Sequence, residues 1–131
     1  IMNTEYITVS PDLTADQAIA AIREQANEAE TIFYVYVVDG DNRLMGIFSL
    51  RDLILALPHE SVKEFMHRRV VSVKLTDSQD HVAQMISKYD LVAVPVVDEQ
   101  DRLHGIVTSD DALDKIIPTA WKKRLPRLYH H

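Results

Sequence analysis

The sequence contains no cysteine, which excludes disulfides, thiolate metal sites and a cysteine nucleophile. This absence is compatible with a reducing cytosol. We expect a cytoplasmic location, with the cytosolic part of a membrane protein as the alternative. Glycine is also scarce, with three residues among 131, so the chain is not a glycine-rich linker. The longest apolar runs, Thr31–Val38 and Val92–Val97, are far shorter than the roughly 20 residues that a bilayer span requires, so we expect no direct membrane span in this sequence.

The chain has fewer basic than acidic residues, with 14 Lys and Arg and 20 Asp and Glu, which gives a formal net charge of −6. A chain of this charge is a poor partner for nucleic acid, whose phosphates require a surplus of cations. The composition, 47% hydrophobic and 26% charged, is that of a folded protein. The chain begins at Ile1 and ends in His130 and His131, which are native or the start of a purification tag, so we interpret it as a piece of a longer protein.

The main signal in the sequence is an internal repeat. Residues 35–54 align with residues 94–113 at an offset of 59, and nine of these 20 positions are identical. Upstream the offset is 64, because the first copy has five additional residues around 25–30. We therefore predict repeat 1 over 1–60, repeat 2 over 61–117 and a basic tail over 118–131. Each repeat is too short to bury a sufficient core alone, so a shared core is expected.

Each copy follows the pattern strand, helix, strand, strand, helix. This order predicts an α/β fold in which two pseudo-symmetric β-α-β-β-α repeats pack into one module. Capping-box patterns begin a helix at Thr14 and a short linking helix over 61–67 at Ser61. The predicted strands are 7–9, 33–38 and 44–48 in the first copy and 71–73, 92–97 and 103–107 in the second, and the other predicted helices begin at Ser49, Ser78 and Thr108.

Each hairpin ends in the same arrangement of a glycine, two apolar residues, a hydroxyl residue, two variable residues and an aspartate. Ser49 and Thr108 lie where a strand leads into a helix, and the N–H groups of a helix start favour phosphate. Three residues later, Asp52 and Asp111 can accept hydrogen bonds from both hydroxyls of a ribose. The same spacing also stabilises a helix start, by about 1 kcal/mol or less per residue, so capping alone stays an alternative.

Two such heptads in register, each preceded by an apolar strand, a turn and a methionine-containing segment, resemble a tandem pair of CBS domains over residues 1–117. The resemblance implies a non-enzymatic regulatory module that binds an adenine nucleotide (ATP, ADP or AMP), forms a homodimer and contacts other domains of its host protein. It also implies that the aspartate binds ribose, the hydroxyl residue reaches phosphate and neighbouring apolar residues enclose adenine. The implied nucleotide-binding residues are Ser49, Arg51, Asp52, Tyr34, Val71, Val73, Thr108 and Asp111.

The cleft of the first copy is the favoured one, because Asp110 replaces Arg51 in the second copy and would repel phosphate. Gly46 and Gly105 are expected to permit close backbone approach. The alternative function is a structural module that dimerises its host without a ligand. No catalytic arrangement is apparent, and His67 and His104 are interpreted as exposed turn residues rather than ligands.

Segments 28–39, 50–53 and 89–98 resemble the cytosolic CBS region of MgtE-type magnesium transporters. That resemblance implies a module that binds ATP and senses Mg²⁺ through acidic surfaces. Acidic clusters supply the hard oxygen donors that Mg²⁺ prefers, so Asp98, Asp101 and Asp114 are the candidate metal ligands, with a solvated acidic face as the alternative. The basic tail departs from those transporters, which continue into an acidic connecting helix, so the identity of the host stays open.

Overall fold

The computed structural model describes residues 2–26 and 34–110. The strands are β1 (Ile7–Val9), β2 (Val35–Val38), β3 (Leu44–Phe48), β4 (Val73–Lys74), β5 (Ala93–Val97) and β6 (Leu103–Thr108), and the helices are α1 (Ala15–Gln25), α2 (Leu50–Leu55), α3 (Val62–Phe65) and α4 (Gln79–Tyr89). Within these ranges no helix combines the length and the apolar character of a membrane span.

The strands form two three-stranded sheets of the same topology, β1-β2-β3 and β4-β5-β6. In each sheet the first strand is parallel to the second, and the second and third form an antiparallel hairpin. Val9 pairs with Val37 in one sheet and Val73 pairs with Val96 in the other. These pairs are related by the offsets of 64 and 59 found in the sequence. The predicted α/β fold of two pseudo-symmetric repeats is therefore confirmed.

The boundaries of some elements differ from the prediction. The strand predicted over 71–73 is Val73–Lys74. The linking helix is present as α3, but its predicted capping box is wrong, because Ser61 makes no side-chain cap. Its hydroxyl donates to the carbonyl of Pro11 at 3.3 Å. The reason is that the linker runs along the start of repeat 1, where Val62 N–H donates to Leu13 O at 2.8 Å.

Three apolar clusters hold the two sheets and their helices. The first lies between the β1-β2-β3 sheet and helices that include α1, and it also contains Val62 and Met66 from the linking segment. The second lies within repeat 2. The third contains residues from both repeats, and its buried members are Tyr36, Ala93, Val97, Leu103 and Ile106. The expected shared core is therefore present.

Each repeat also lends one short segment to the sheet of the other, and we call Met2–Asn3 and Met66–His67 the crossover segments. Asn3 exchanges two backbone hydrogen bonds with Ile106, at 2.7 and 2.8 Å. His67 does the same with Ile47, at 3.0 and 2.7 Å. The two repeats are therefore joined by main-chain pairing as well as by the shared core.

The two heptad glycines face these crossover segments. A Cβ atom at Gly46 would lie 2.8 Å from the His67 carbonyl oxygen, and a Cβ atom at Gly105 would lie 2.9 Å from the Asn3 carbonyl oxygen and would also collide with Met2. The predicted close backbone approach is real, but the approaching atoms belong to the protein chain itself.

Candidate functional site

A cavity of about 500 Å³ lies where β3 leads into α2. Its wall combines polar and apolar side chains from repeat 1 with the side chain of one crossover residue. The lining residues are Tyr34, Ile47, Phe48, Ser49, Arg51, Asp52, Leu55 and His67. Four of the sequence-predicted nucleotide-binding residues, Tyr34, Ser49, Arg51 and Asp52, are thus brought together.

Ser49 and Asp52 form a reciprocal capping box at the start of α2. The Ser49 hydroxyl accepts a hydrogen bond from Asp52 N–H at 3.1 Å, and Asp52 Oδ2 accepts one from Ser49 N–H at 2.9 Å. The geometry of the capping alternative is therefore present. It uses the N–H groups of Ser49 and Asp52 at the start of a six-residue helix, so a phosphate here would depend on side chains. Asp52 Oδ1 has no hydrogen-bond partner within the described ranges.

His67, interpreted from the sequence as an exposed turn residue, lines this cavity, as do Ile47, Phe48 and Leu55, which the sequence did not single out. Its Nε2 lies 3.0 Å from Asp52 Oδ2, and the two side chains are 62% and 29% exposed. Desolvation by itself raises the pKa of Asp52, but hydrogen bonds from Ser49 and His67 outweigh it and leave the pKa below its usual value. The repeat alignment matches His67 with Asn3, each directly after a methionine, but it does not show that either residue pairs with the sheet of the other repeat.

The three residues predicted to contact adenine lie in two different parts of the structure, the cavity and the core of repeat 2. Tyr34 lines the cavity, together with Ile47 and Leu55. Val73 is 2% exposed inside the core of repeat 2, and Val71 packs against that core. Neither valine lines the cavity, because β4 joins the other sheet and Val73 packs into the core beneath it.

Arg51 lines the cavity with an exposed side chain, and within residues 2–26 and 34–110 it has no ion-pair partner. A guanidinium in this condition can form paired hydrogen bonds with a phosphate. In the second copy, Thr108 ends β6 and is half-buried, opposite Ala93. Asp111 lies outside the described residues.

The comparison with known families gives two matches, one to each copy of the internal repeat. The CBS domain family matches residues 1–59 and again residues 62–118. The chain is a pair of CBS domains. Each match covers one copy of the β-α-β-β-α pattern, and the Ser49–Asp52 cavity of this CBS pair lies in the first.

The CBS pair is similar to part of two magnesium transporters. It is 46% identical over 114 residues to the magnesium transporter MgtE of Thermus thermophilus and 47% identical over 116 residues to that of Enterococcus faecalis. These alignments cover 87% and 88% of this chain but 25% and 26% of the relatives, so the chain spans about a quarter of the length of the curated relatives it matches.

Two solved structures with bound adenosine compounds resemble this CBS pair. The cytosolic domain of the Mg²⁺ channel MgtE in complex with ATP is 46% identical, has a TM-score of 0.84, and aligns with 88% of this chain and 47% of its own. A CBS domain pair in complex with methylthioadenosine and S-adenosyl-L-methionine is 28% identical, has a TM-score of 0.69, and aligns with 95% of this chain and 94% of its own.

Asp98, a candidate metal ligand, holds the β5–β6 turn of the CBS pair. Its Oδ1 accepts from Gln100 N–H at 2.9 Å and from Arg102 N–H at 3.0 Å. Its Oδ2 lies 2.9 Å from His104 Nε2. The His104 hydrogen bond is the main reason that the pKa of Asp98 falls to about 2. Both oxygens of this carboxylate are therefore engaged by protein donors.

Asp101 adopts a left-handed backbone conformation, with φ of 63°, in the same turn. Its Oδ1 lies 3.5 Å from Lys74 Nζ. The part of the chain that the structure describes contains no group of three or more His, Asp or Glu side chains that could hold a metal ion. Asp114 lies outside the described residues, so a metal-binding role for the three aspartates stays a prediction.

Proposed function

We propose that this CBS pair is a regulatory module that binds an adenine nucleotide in the cavity beside Asp52 and controls a larger host protein. The observation that supports this most is the composition of one cavity, in which a carboxylate, an exposed guanidinium and an apolar wall lie together. The likeness to the ATP complex of the MgtE cytosolic domain supports the choice of ligand.

Each part of the cavity corresponds to one part of a nucleotide. The Asp52 carboxylate accepts hydrogen bonds from the ribose hydroxyls, because an ionised carboxylate offers only acceptors. The Arg51 guanidinium pairs with phosphate. Tyr34, Ile47 and Leu55 cover the base, whose flat apolar faces favour aromatic and aliphatic contacts. A volume of about 500 Å³ lies within the usual range of small-molecule sites, about 300–1,000 Å³.

We infer that the host is a magnesium transporter of the MgtE type and that the module lies on its cytosolic side. This follows from identities of 46% and 47% to two such transporters. The proposal is confined to the nucleotide and leaves out Mg²⁺ bound at the β5–β6 turn, because Asp98 and Asp101 already face His104 and Lys74.

Calorimetric titration with ATP, ADP, AMP and adenosine tests this function on the wild type, Asp52→Asn and Arg51→Ala. Asp52→Asn is expected to weaken all four ligands by about 10- to 150-fold, which is roughly 1.5–3 kcal/mol for hydrogen bonds to a charged group. Arg51→Ala should weaken the three phosphate-bearing ligands and leave adenosine unchanged.

Asp77→Asn is the matched control, because Asp77 also accepts a backbone hydrogen bond three residues away, from Lys74 N–H at 2.8 Å, and also faces a histidine, His81, at 3.7 Å. It lies outside the cavity lining and should bind as the wild type does. The absence of heat with every ligand at about 1 mM, or equal losses in Asp52→Asn and Asp77→Asn, contradicts the proposed function.

A ligand-free dimerisation module is the second candidate. Ile54 is 80% exposed and Leu57 is 60% exposed, and exposed large apolar side chains are a feature of association surfaces. The capping box also accounts for Ser49 and Asp52 without a ligand. Sedimentation distinguishes this candidate, because Ile54→Asp should then dissociate a dimer that binds no nucleotide.

A further inference from the structure

We propose that His67 determines the sugar specificity of this cavity, because its imidazole occupies the carboxylate oxygen that a second ribose hydroxyl requires. The inference rests on the proposed nucleotide function. The crossover segment thus supplies a residue that competes with the ligand for Asp52.

The hydrogen bonds of Asp52 show the competition. Oδ2 receives Ser49 N–H at 2.9 Å and lies 3.0 Å from His67 Nε2, which must carry a proton because an ionised carboxylate only accepts. A carboxylate oxygen has two lone pairs, so these donors fill Oδ2. Two neighbouring donors bind a carboxylate side by side, one on each oxygen, so with Oδ2 occupied only one hydroxyl of a ribose is bound, on Oδ1.

The backbone of His67 is fixed, whereas its side chain can leave. Two backbone hydrogen bonds hold it to Ile47, at 3.0 and 2.7 Å. The imidazole is 62% exposed, so rotation about its own side-chain bonds takes it into solvent. A ribose that binds through both hydroxyls must displace the imidazole, whereas a 2'-deoxyribose binds through one hydroxyl on Oδ1 and leaves it in place.

His67 therefore reduces the preference of the cavity for ribose over deoxyribose. The test is calorimetric titration of the wild type, His67→Ala and His104→Ala with adenosine and 2'-deoxyadenosine. His67→Ala is expected to bind adenosine about 2- to 5-fold more tightly, the range for one solvent-exposed side-chain contact with a carboxylate, and to bind 2'-deoxyadenosine as the wild type does. A tighter complex is diagnostic, because loss of a merely structural residue weakens binding.

His104→Ala is the matched control. Its Nε2 lies 2.9 Å from Asp98 Oδ2 and its side chain is 41% exposed, but it does not line the cavity. It should bind both nucleosides with wild-type affinity. His67→Ser, which also lacks the imidazole, replaces the alanine variant if that variant aggregates.

The possible results distinguish the role of His67 from nucleotide binding itself. Wild-type binding with equal or weaker adenosine affinity in His67→Ala overturns the inference and leaves nucleotide binding in place. Adenosine binding by His67→Ala alone supports it. No binding of either nucleoside by any of the three proteins removes the proposed function and the inference with it.

Discussion

Replacing Gly46 by alanine tests how tightly the crossover segment is held against β3. A Cβ at residue 46 would lie 2.8 Å from the His67 carbonyl oxygen and 2.9 Å from Met66 Sδ. The Met66 side chain can rotate away at small cost. The His67 carbonyl cannot, because it accepts a hydrogen bond from Ile47 N–H at 3.0 Å. The alanine methyl therefore forces the segment away from the sheet.

Three contributions set the size of this effect. Overpacking costs about 1–3 kcal/mol, and loosening the His67–Ile47 hydrogen bonds costs about 0.5–1.5 kcal/mol more. The smaller entropy of the unfolded alanine chain offsets about 0.4–1 kcal/mol. We expect Gly46→Ala to lower the free energy of unfolding by about 0.5–4 kcal/mol and the melting temperature by about 2–16 °C.

Thermal and urea denaturation followed by circular dichroism measure both quantities. Gly40→Ala is the control, because a Cβ at Gly40 meets no atom within 4 Å and its φ is not positive. It should melt at the wild-type temperature or slightly above, as a strain-free glycine replacement does. If Gly46→Ala and Gly40→Ala melt together, the close approach of the crossover segment to β3 is not what makes glycine necessary.

Three further variants probe the rest of the fold. The pKa of Asp98 is lowered from 3.8 to about 2, so the stability that this carboxylate contributes is present above about pH 4 and lost as the pH falls toward 2. Asp98→Asn should therefore flatten the pH dependence of the urea midpoint between pH 4 and pH 2. An unchanged profile contradicts this prediction. Gln25→Ala should lower the unfolding free energy by about 1–2 kcal/mol, since its amide pairs with both backbone groups of Thr8 at 2.8 and 3.1 Å; a wild-type urea midpoint would refute it. Tyr36→Phe should keep or raise the melting temperature, because the Tyr36 hydroxyl is buried without a partner in the described part of the chain, and a clear drop argues for an unseen partner.

The sequence predicted the sheets better than it predicted the connections between them. The repeat offsets make Val73 the equivalent of Val9 and Val96 the equivalent of Val37, and the structure pairs Val9 with Val37 and Val73 with Val96 at equivalent positions of the two sheets. No local pattern shows which sheet a single extended residue joins, and so the place of His67 in the cleft could not be predicted. The same holds for Val73, since a short apolar strand does not reveal what its faces contact, and the structure places this side chain in the core of repeat 2.

Because the crossover segments are exchanged, each repeat supplies a backbone segment that pairs with the sheet of the other repeat. A chain cut in the exposed linker at His59 would leave a first fragment that contains Asn3, the partner of Ile106, and a second that contains His67, the partner of Ile47. Neither fragment contains the crossover segment that pairs with its own sheet, and each exposes the surface that the other fragment covers. Mixed in solution, the two are expected to reassemble by complementation into a single noncovalent module. In the intact chain the same reciprocity predicts that both repeats unfold in one cooperative transition.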